Sequence, residues 1–526
     1  MASRLPPSGR AGRAAVGYPL RVIGDYLERI LKARVYDVAV ETPLEPASRL
    51  SARLGNRVLL KREDLQPVFS FKLRGAYNRL AHLAPAERAA GVICSSAGNH
   101  GQGVALAART LGIRAVVVMP VTTPSIKVDA VRALGADIEL HGITYDDAYG
   151  RAQQLVAGQG LTFIHPFNDP AVIAGQGTIG VEILRQRPGP IDAVFVPVGG
   201  GGLISGIGLY IKALYPEIRI IGVEPEESPT MHTALAAGRP VRLARVGIFC
   251  DGVAVREAGD ETVRICREVV DEIIVVTNDE VCAAIRDVFE DTRAIMEPAG
   301  ALAIAGIKRH VEASGCRDRT LVAVNSGANM NFDRLRYIAE RAGIGEHREA
   351  LLAVQIPERA GSFLHFCETI GNRHITEFNY RFSDPRSARI FVGVGLTGGL
   401  AEREQLIGQL QQLGFPVADL SDDEVAKLHV RHMVGGLAPG LGDERLYRFE
   451  FPEQPGALLE FLRALGSRWN ISLFHYTNPG SDHARVLAGI QVPAADLPAF
   501  RAHLEATGYD FDDETGNSTC RMFLTG

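Results

Sequence analysis

The strongest constraint on the fold is an alternation of short, β-branched apolar runs with helix-like stretches, which extends from about residue 36 to residue 338. This alternation is typical of βαβ units, which assemble into mostly parallel sheets covered by helices. Each run is far shorter than the roughly 20 apolar residues of a membrane-spanning helix. The predicted strands are residues 58–61, 91–94, 115–119, 137–140, 192–198, 218–223, 273–276 and 321–325.

An internal repeat sets the C-terminal part of the chain apart. The stretch IPERAGSFL at residues 356–364 recurs as FPEQPGALL at 451–459, and EFNY at 377–380 recurs as LFHY at 473–476. Strand, glycine turn, helix and strands follow one another twice, which predicts two ferredoxin-like βαββαβ modules side by side. A duplication that only fills a subunit interface is the alternative, because a fold does not fix a function.

Composition excludes several classes of partner. An apolar share of 46%, a charged share of 22% and a net charge of -5 are ordinary for a globular protein, and they disfavour nucleic acid and membrane lipid as partners. The seven cysteines are scattered and lack a C-x-x-C pair, so we expect free thiols and no metal site. The Arg-rich first two dozen residues favour a disordered tail over a targeting segment, and we expect a cytoplasmic protein.

A lysine, Lys72, begins a helix-like run in the segment SFKLRGA at residues 70–76. The positive end of a helix dipole disfavours a second positive charge, so this position should lower the pKa of the amine and free it as a nucleophile. A solvated surface lysine is the commoner alternative.

The small-residue turn SSAGNHGQG at residues 95–103 connects a predicted strand to a helix. Consecutive backbone N–H groups in such a turn can form an anion cradle suited to a substrate carboxylate. The candidate cradle residues are Ser95, Ser96, Ala97, Gly98, Asn99 and His100. A tight turn in which Asn and Ser merely cap the helix is the alternative.

The glycine run PVGGGGL at residues 197–203 also joins a predicted strand to a helix, and it favours close approach of the backbone to a phosphate. GQGTIG at 175–180 matches the G-x-G-x-x-G pattern of dinucleotide sites but does not directly follow a strand, so we interpret that match as chance. NSGAN at 325–329 places Ser326 at the carboxyl end of a strand, where open α/β sheets bind ligands. A serine that caps the turn is the alternative.

Together, SFKLRGA, SSAGNHGQG, PVGGGGL and NSGAN resemble the fold-type II pyridoxal-phosphate enzymes, and most closely the biosynthetic threonine ammonia-lyases. The stretches EFNYRF, LSDDEVAKLHVRHMVGG and NISLFHY are similar to the paired ACT-like regulatory domains of that family. The resemblance implies an α/β catalytic region of two open parallel sheets, like that of tryptophan synthase β, followed by two ferredoxin-like ACT-like domains. The implied boundaries are a flexible extension at 1–24, a catalytic domain at 25–340, a linker at 341–348 and ACT-like domains at 349–425 and 444–516.

The resemblance also implies roles for individual residues. Lys72 would bind pyridoxal 5'-phosphate covalently with Phe71 beside it, Asn99 would contact the ring 3-oxygen, and Ser326 would face the ring nitrogen. The phosphate would be held by Gly199, Gly200, Gly201, Gly202 and Leu203.

The implied reaction is the dehydration and deamination of L-threonine to 2-oxobutanoate and ammonia, the first step of isoleucine biosynthesis, with L-serine as a second substrate. Isoleucine would inhibit and valine would activate a homotetramer through the ACT-like domains. A catabolic serine/threonine dehydratase, a serine racemase and a cysteine synthase are alternatives that the tandem C-terminal region disfavours. A non-enzymatic amino-acid sensor on the same scaffold is disfavoured by the intact Lys72.

Overall fold

The computed structural model describes residues 19–96, 98–123, 125–433, 435–436, 438, 441–452, 456–477, 483–517, 520 and 524. The chain divides into two compact units, Met1–Ala342 and Gly343–Gly526. Residues 1–18 of the predicted extension at 1–24 lie outside the described residues, and residues 19–24 belong to the first helix. Of the helices in the described part of the chain, none is long and apolar enough to cross a membrane.

The N-terminal unit contains the strands that the alternation predicts, each within two residues of the predicted ends. The strands of this unit are β1 (Leu44–Pro46), β2 (Arg57–Arg62), β3 (Val92–Ser95), β4 (Ala115–Met119), β5 (Asp137–Leu140), β6 (Thr162–Phe163), β7 (Ala193–Pro197), β8 (Arg219–Pro225), β9 (Glu272–Val276) and β10 (Thr320–Asn325). The short strands β1 and β6 were not predicted, because two or three residues give no periodicity.

These strands form two sheets. The larger has the order β1-β2-β10-β7-β8-β9 and is parallel except at one edge, where β1 runs antiparallel to β2. The smaller has the order β5-β4-β3-β6 and is parallel. The prediction of two open parallel sheets is therefore confirmed, apart from the antiparallel edge strand.

The sheets are covered by helices whose ends follow local sequence signals. Asp169 caps the helix that begins at Pro170, for example, by accepting from the N–H groups of Ala171 and Val172. The helices are α1 (Pro19–Leu31), α2 (Ser48–Leu54), α3 (Lys72–Ala81), α4 (Pro85–Ala90), α5 (Asn99–Leu111), α6 (Ser125–Ala133), α7 (Tyr145–Gln159), α8 (Pro170–Gln186), α9 (Gly202–Leu214), α10 (Thr230–Ala237), α11 (Asp260–Val269), α12 (Asn278–Thr292), α13 (Pro298–Ser314) and α14 (Arg334–Gly345), with 3-10 turns at Glu63–Leu65 and Asp251–Val253. Helix α14 extends into the stretch predicted as a linker, 341–348.

The GQGTIG motif lies inside α8, where its glycines allow neighbouring helices to pack closely. A Cβ built on Gly175 would lie 2.7 Å from Gly75 Cα of α3, and one built on Gly206 of α9 would lie 2.6 Å from Gly177 N. The interpretation that its match to the dinucleotide pattern is chance is confirmed. The glycines let α8 approach α3, the helix that begins with Lys72, at backbone contact.

The C-terminal unit contains two βαββαβ modules, as the repeat predicts. The first consists of β11 (Glu349–Pro357), α15 (Ser362–Ile370), β12 (Ile375–Arg381), β13 (Ser387–Gly395), α16 (Gly399–Gln412) and β14 (Val417–Asp419), followed by α17 (Glu424–Leu428) and a 3-10 turn at Val430–His432. The second consists of β15 (Glu444–Pro452), α18 (Ala457–Leu465), β16 (Asn470–Thr477), β17 (His483–Gln491), a 3-10 turn at Ala494–Asp496, α19 (Leu497–Thr507) and β18 (Asp510–Asp513).

The two modules share one sheet with the order β14-β11-β13-β12-β16-β17-β15-β18. The second strands of the modules, β12 and β16, pair antiparallel, with Phe378 opposite Tyr476 and Tyr380 opposite Phe474. Phe378 and Phe474 pack edge to face with ring centroids 5.5 Å apart, in a hydrophobic core that includes residues of both modules. The duplicated segments therefore form one folded body.

Candidate active site

Lys72 is held at the start of α3 by the loop that follows β10. The Phe71 N–H donates to Ser326 O at 3.2 Å, and Ser70 pairs with Gly327 in an isolated antiparallel bridge. The loop before the helix is tightly bent, since Phe69 has a φ of 54°. Two of the predicted motifs, SFKLRGA and NSGAN, are thus brought together although they are far apart in the sequence.

The Lys72 side chain is half-buried, and its amine binds a proton less tightly than that of an exposed lysine. Its Nζ donates to Pro166 O at 3.2 Å and lies 5.2 Å from the centre of the Phe71 ring. Burial lowers the pKa of Lys72 to about 8, although the nearby Glu297 carboxyl acts in the opposite direction. The lowered pKa that we expected from the helix dipole thus has burial as its principal cause.

The predicted carboxylate cradle lies between β3 and α5, and Ala97 falls outside the described residues. The Gly98 N–H donates to Ser96 Oγ at 3.2 Å, and the buried Ser95 Oγ has no hydrogen-bond partner within the described part of the chain. His100 Nε2 lies 2.9 Å from Ile164 O, and burial together with the Lys72 charge lowers the pKa of this imidazole to about 3. His100 is therefore neutral.

The glycine run forms the turn between β7 and α9. Gly201, with a φ of 92°, precedes the first residue of α9, and no side-chain hydrogen bond caps that helix end among the described residues. A Cβ on Gly200 would lie 2.3 Å from the Phe167 ring, and one on Gly199 would lie 2.9 Å from Val253 Cα. Packing therefore requires glycine at positions 199 and 200. The backbone N–H groups at the start of α9 are suited to bind an anion.

The turn at residues 165–168, which sequence reasoning missed, contacts both Lys72 and the glycine run. Pro166 accepts the hydrogen bond from Lys72, while Phe167 packs against Gly200. His165 Nδ1 accepts from the N–H groups of Phe167 at 3.2 Å and Asn168 at 2.8 Å, which fixes the turn. The only local signal was the helix start at Asp169–Pro170, which says nothing about this contact.

Ser326 follows β10 of the larger sheet, and Asn99 begins α5, which follows β3 of the smaller sheet. Ser326 is buried and its Oγ donates to Ala299 O at 3.4 Å. Asn99 Nδ2 donates to Glu297 Oε1 at 2.7 Å, and Asn99 Oδ1 accepts from Asn329 Nδ2 at 2.7 Å. Sequence reasoning also missed Glu297, which carries no signal beyond its position before Pro298.

These residues fit the cofactor that the resemblance implies. A buried amine of lowered pKa suits covalent capture of an aldehyde, and a helix start beside a glycine turn, with no side-chain cap among the described residues, suits a phosphate. Ser70 Oγ and Ser95 Oγ are buried without a hydrogen-bond partner among the described residues, as expected where a polar ligand binds.

Comparisons with known proteins agree with this geometry. Residues 35–327 match the model of the pyridoxal-phosphate dependent enzymes, and residues 340–430 and 435–524 match that of the C-terminal regulatory domain of threonine dehydratase. The L-threonine dehydratase biosynthetic IlvA of Burkholderia multivorans is 56% identical over 504 residues, which cover 95% of this chain and 99% of that protein. Its namesake in Escherichia coli is 53% identical over 502 residues, covering 95% and 97%.

A solved structure shows the same catalytic fold. The processed form of threonine deaminase isoform 2 from Solanum lycopersicum is 50% identical and superposes with a TM-score of 0.60, over 61% of this chain and 94% of that chain.

Proposed function

Because this chain belongs to the biosynthetic threonine dehydratases, a family of pyridoxal-phosphate-dependent enzymes, we propose that it catalyses the first step of isoleucine biosynthesis. The chain is a lyase that dehydrates and deaminates L-threonine to 2-oxobutanoate and ammonia with pyridoxal phosphate as its cofactor. The observation that carries this conclusion is 56% identity over 95% of the chain to a biosynthetic threonine dehydratase. The family, reaction and cofactor predicted from the motifs are confirmed.

The cofactor would be held by residues of four turns in the N-terminal unit. Lys72 would bind it covalently beside Phe71, Asn99 would donate to the ring oxygen, and Ser326 would face the ring nitrogen. Its phosphate would accept from the N–H groups of the glycine run, Gly199, Gly200, Gly201, Gly202 and Leu203, at the start of α9. Support for this assignment comes from the buried amine and from the start of α9 directly after the glycine turn.

Lys72 is the proposed base of the reaction. When bound, pyridoxal phosphate supplies an electron sink for the pair released as the Cα proton leaves. Once the amino group of the substrate has replaced Lys72 on the cofactor, the freed Lys72 amine would accept that proton, since a pKa of about 8 leaves part of it neutral near pH 7. Pro166 O accepts a hydrogen bond from the amine and so orients it.

The substrate carboxylate would bind at the turn before α5, through the segment Ser95 to His100. The buried Ser95 hydroxyl, which has no hydrogen-bond partner among the described residues, and the neutral His100 support this placement, since neither repels an anion. Binding there would exclude water from the space around Lys72 and align Cα with its amine.

The C-terminal unit is a regulatory domain of the threonine dehydratase type. We propose that isoleucine binds it as an inhibitor and valine as an activator, that the enzyme is a cytoplasmic homotetramer, and that the domains lie at 25–340, 349–425 and 444–516. The duplicated modules in one continuous sheet support two effector positions.

Release of 2-oxoacid from threonine and from serine, with and without isoleucine, tests the proposal. We expect faster turnover of threonine, inhibition by isoleucine and no release by Lys72→Ala. Lys32→Ala is the matched control, since Lys32 is an exposed lysine of the same unit whose ammonium pairs with Glu28 on the surface. Equal loss in both variants, or a strong preference for serine, would contradict the proposal.

A further inference from the structure

A buried carboxyl group, Glu297, lies beside the candidate cofactor site and has no assigned role in ligand binding. It precedes α13 and is 3% exposed. Its Oε1 accepts from Asn99 Nδ2 at 2.7 Å, and a Cβ built on Gly327 would lie 2.6 Å from the same oxygen. The glycine at 327 thus leaves the space that this oxygen occupies, so the carboxyl is held between α5 and the loop after β10.

Asn329 holds the other end of the Asn99 amide. Its Nδ2 donates to Asn99 Oδ1 at 2.7 Å and to Val68 O at 2.8 Å. A side-chain amide has two N–H donors, and Glu297 accepts one from Asn99, so one remains. If the Asn99 amide were rotated by 180°, its NH₂ group would lie opposite the NH₂ group of Asn329. Two donors cannot form a hydrogen bond, so that orientation is excluded.

The surroundings of Glu297 favour the uncharged form of its carboxyl group, which can still accept a hydrogen bond. Burial and then the Asp251 carboxylate raise the pKa of Glu297 to about 8, against the hydrogen bond from Asn99 and the charges of Lys127 and Arg334. Near pH 7 the carboxyl is therefore mostly neutral, and a glutamine of the same shape would offer the same acceptor oxygen.

We propose that Glu297 is a positioning residue that, together with Asn329, fixes the Asn99 amide so that its remaining N–H is available to the ring oxygen of the cofactor. The inference rests on the proposed function, because the role of Asn99 toward the cofactor is part of that proposal. Glu297 acts through Asn99 and does not itself touch the cofactor.

Cofactor affinity, measured by equilibrium dialysis of the cofactor-free full chain against pyridoxal phosphate, tests this role. Glu297→Ala should weaken binding at least about tenfold, and Glu297→Gln should stay within about threefold of wild type, because only the former loses a buried hydrogen bond. The visible absorbance band of the bound cofactor should move in Glu297→Ala and keep its position in Glu297→Gln.

A double-mutant cycle separates positioning from a general structural effect. Adding Glu297→Ala to Asn99→Ala should weaken binding no further, and Asn329→Ala should reproduce the effect of Glu297→Ala even if the latter fails to fold. Asp287→Ala is the control: Asp287 is a buried acid of the same unit, ion-paired with Arg53 and Lys308, and its loss should lower stability but leave cofactor affinity unchanged.

The inference is overturned, while the proposed function stands, by wild-type affinity in both Glu297→Ala and Asn329→Ala or by additive losses in the cycle. A Glu297→Gln chain as weak as Glu297→Ala would also overturn it. Wild-type protein that binds no pyridoxal phosphate would instead overturn the proposed function.

Discussion

The amine of Lys72 should capture pyridoxal phosphate with the pH dependence of a group whose pKa is about 8, well below the ordinary lysine value of 10.5. At pH 7 such a group is about 9% neutral, whereas an ordinary lysine is about 0.03% neutral, so the reactive form is about 300-fold more abundant. Burial produces this difference, because the interior penalises the ammonium and not the amine.

The assay is rapid mixing of cofactor-free protein with pyridoxal phosphate from pH 6 to 10, followed by visible absorbance. The second-order rate should rise about tenfold per pH unit below pH 8 and level off above it. The same series with Nα-acetyl-lysine corrects for titration of the reagent itself. A protein rate that continues to rise in parallel with the model amine up to pH 10 would refute the reasoning.

Three further predictions concern the glycine run, the ring-nitrogen residue and the regulatory domain. Gly200→Ala, whose Cβ would lie 2.3 Å from the Phe167 ring, should lower the free energy of unfolding by about 1–3 kcal/mol, the usual cost of overpacking, and should weaken cofactor binding in equilibrium dialysis. Gly158→Ala in α7, where a Cβ meets nothing within 4 Å among the described residues, should leave that affinity unchanged and stabilise the fold by about 0.5–1 kcal/mol in urea unfolding. Ser326→Asp should shift products from elimination toward transamination, because a carboxylate can hold a proton on the ring nitrogen that a serine cannot; unchanged partition in product chromatography would count against this role. If isoleucine lowers the affinity for threonine, threonine must weaken isoleucine binding by the same factor, and calorimetry without that linkage would remove the allosteric proposal.

The sequence contains enough local information to predict the parallel sheets, the paired modules and the turns that present Lys72 and Ser326. Strand periodicity and glycine turns are local, and they place a residue at the end of an element whatever the rest of the fold does. The same reasoning separated GQGTIG from a dinucleotide site, because the required strand was missing before it.

Residues that act through contacts across the chain could not be predicted in this way. Glu297 contacts Asn99 because the N-terminal ends of α13 and α5 lie next to each other. Pro166 contacts Lys72 because α3 packs against α8. The sequence likewise predicts the lowered pKa of Lys72 but not its cause, since burial depends on surrounding segments that local sequence does not reveal. The edge-to-edge pairing of β12 with β16 has the same origin: a repeat predicts two modules but not the register between them.

The central claim is that the side chain of Lys72 holds pyridoxal phosphate, and borohydride reduction followed by peptide mass spectrometry tests it most directly. Purified chain incubated with the cofactor and reduced should carry one reduced pyridoxyl adduct, on the peptide that contains Lys72. An adduct on another lysine, or wild-type protein without any adduct under conditions that label a model amine, would contradict the account.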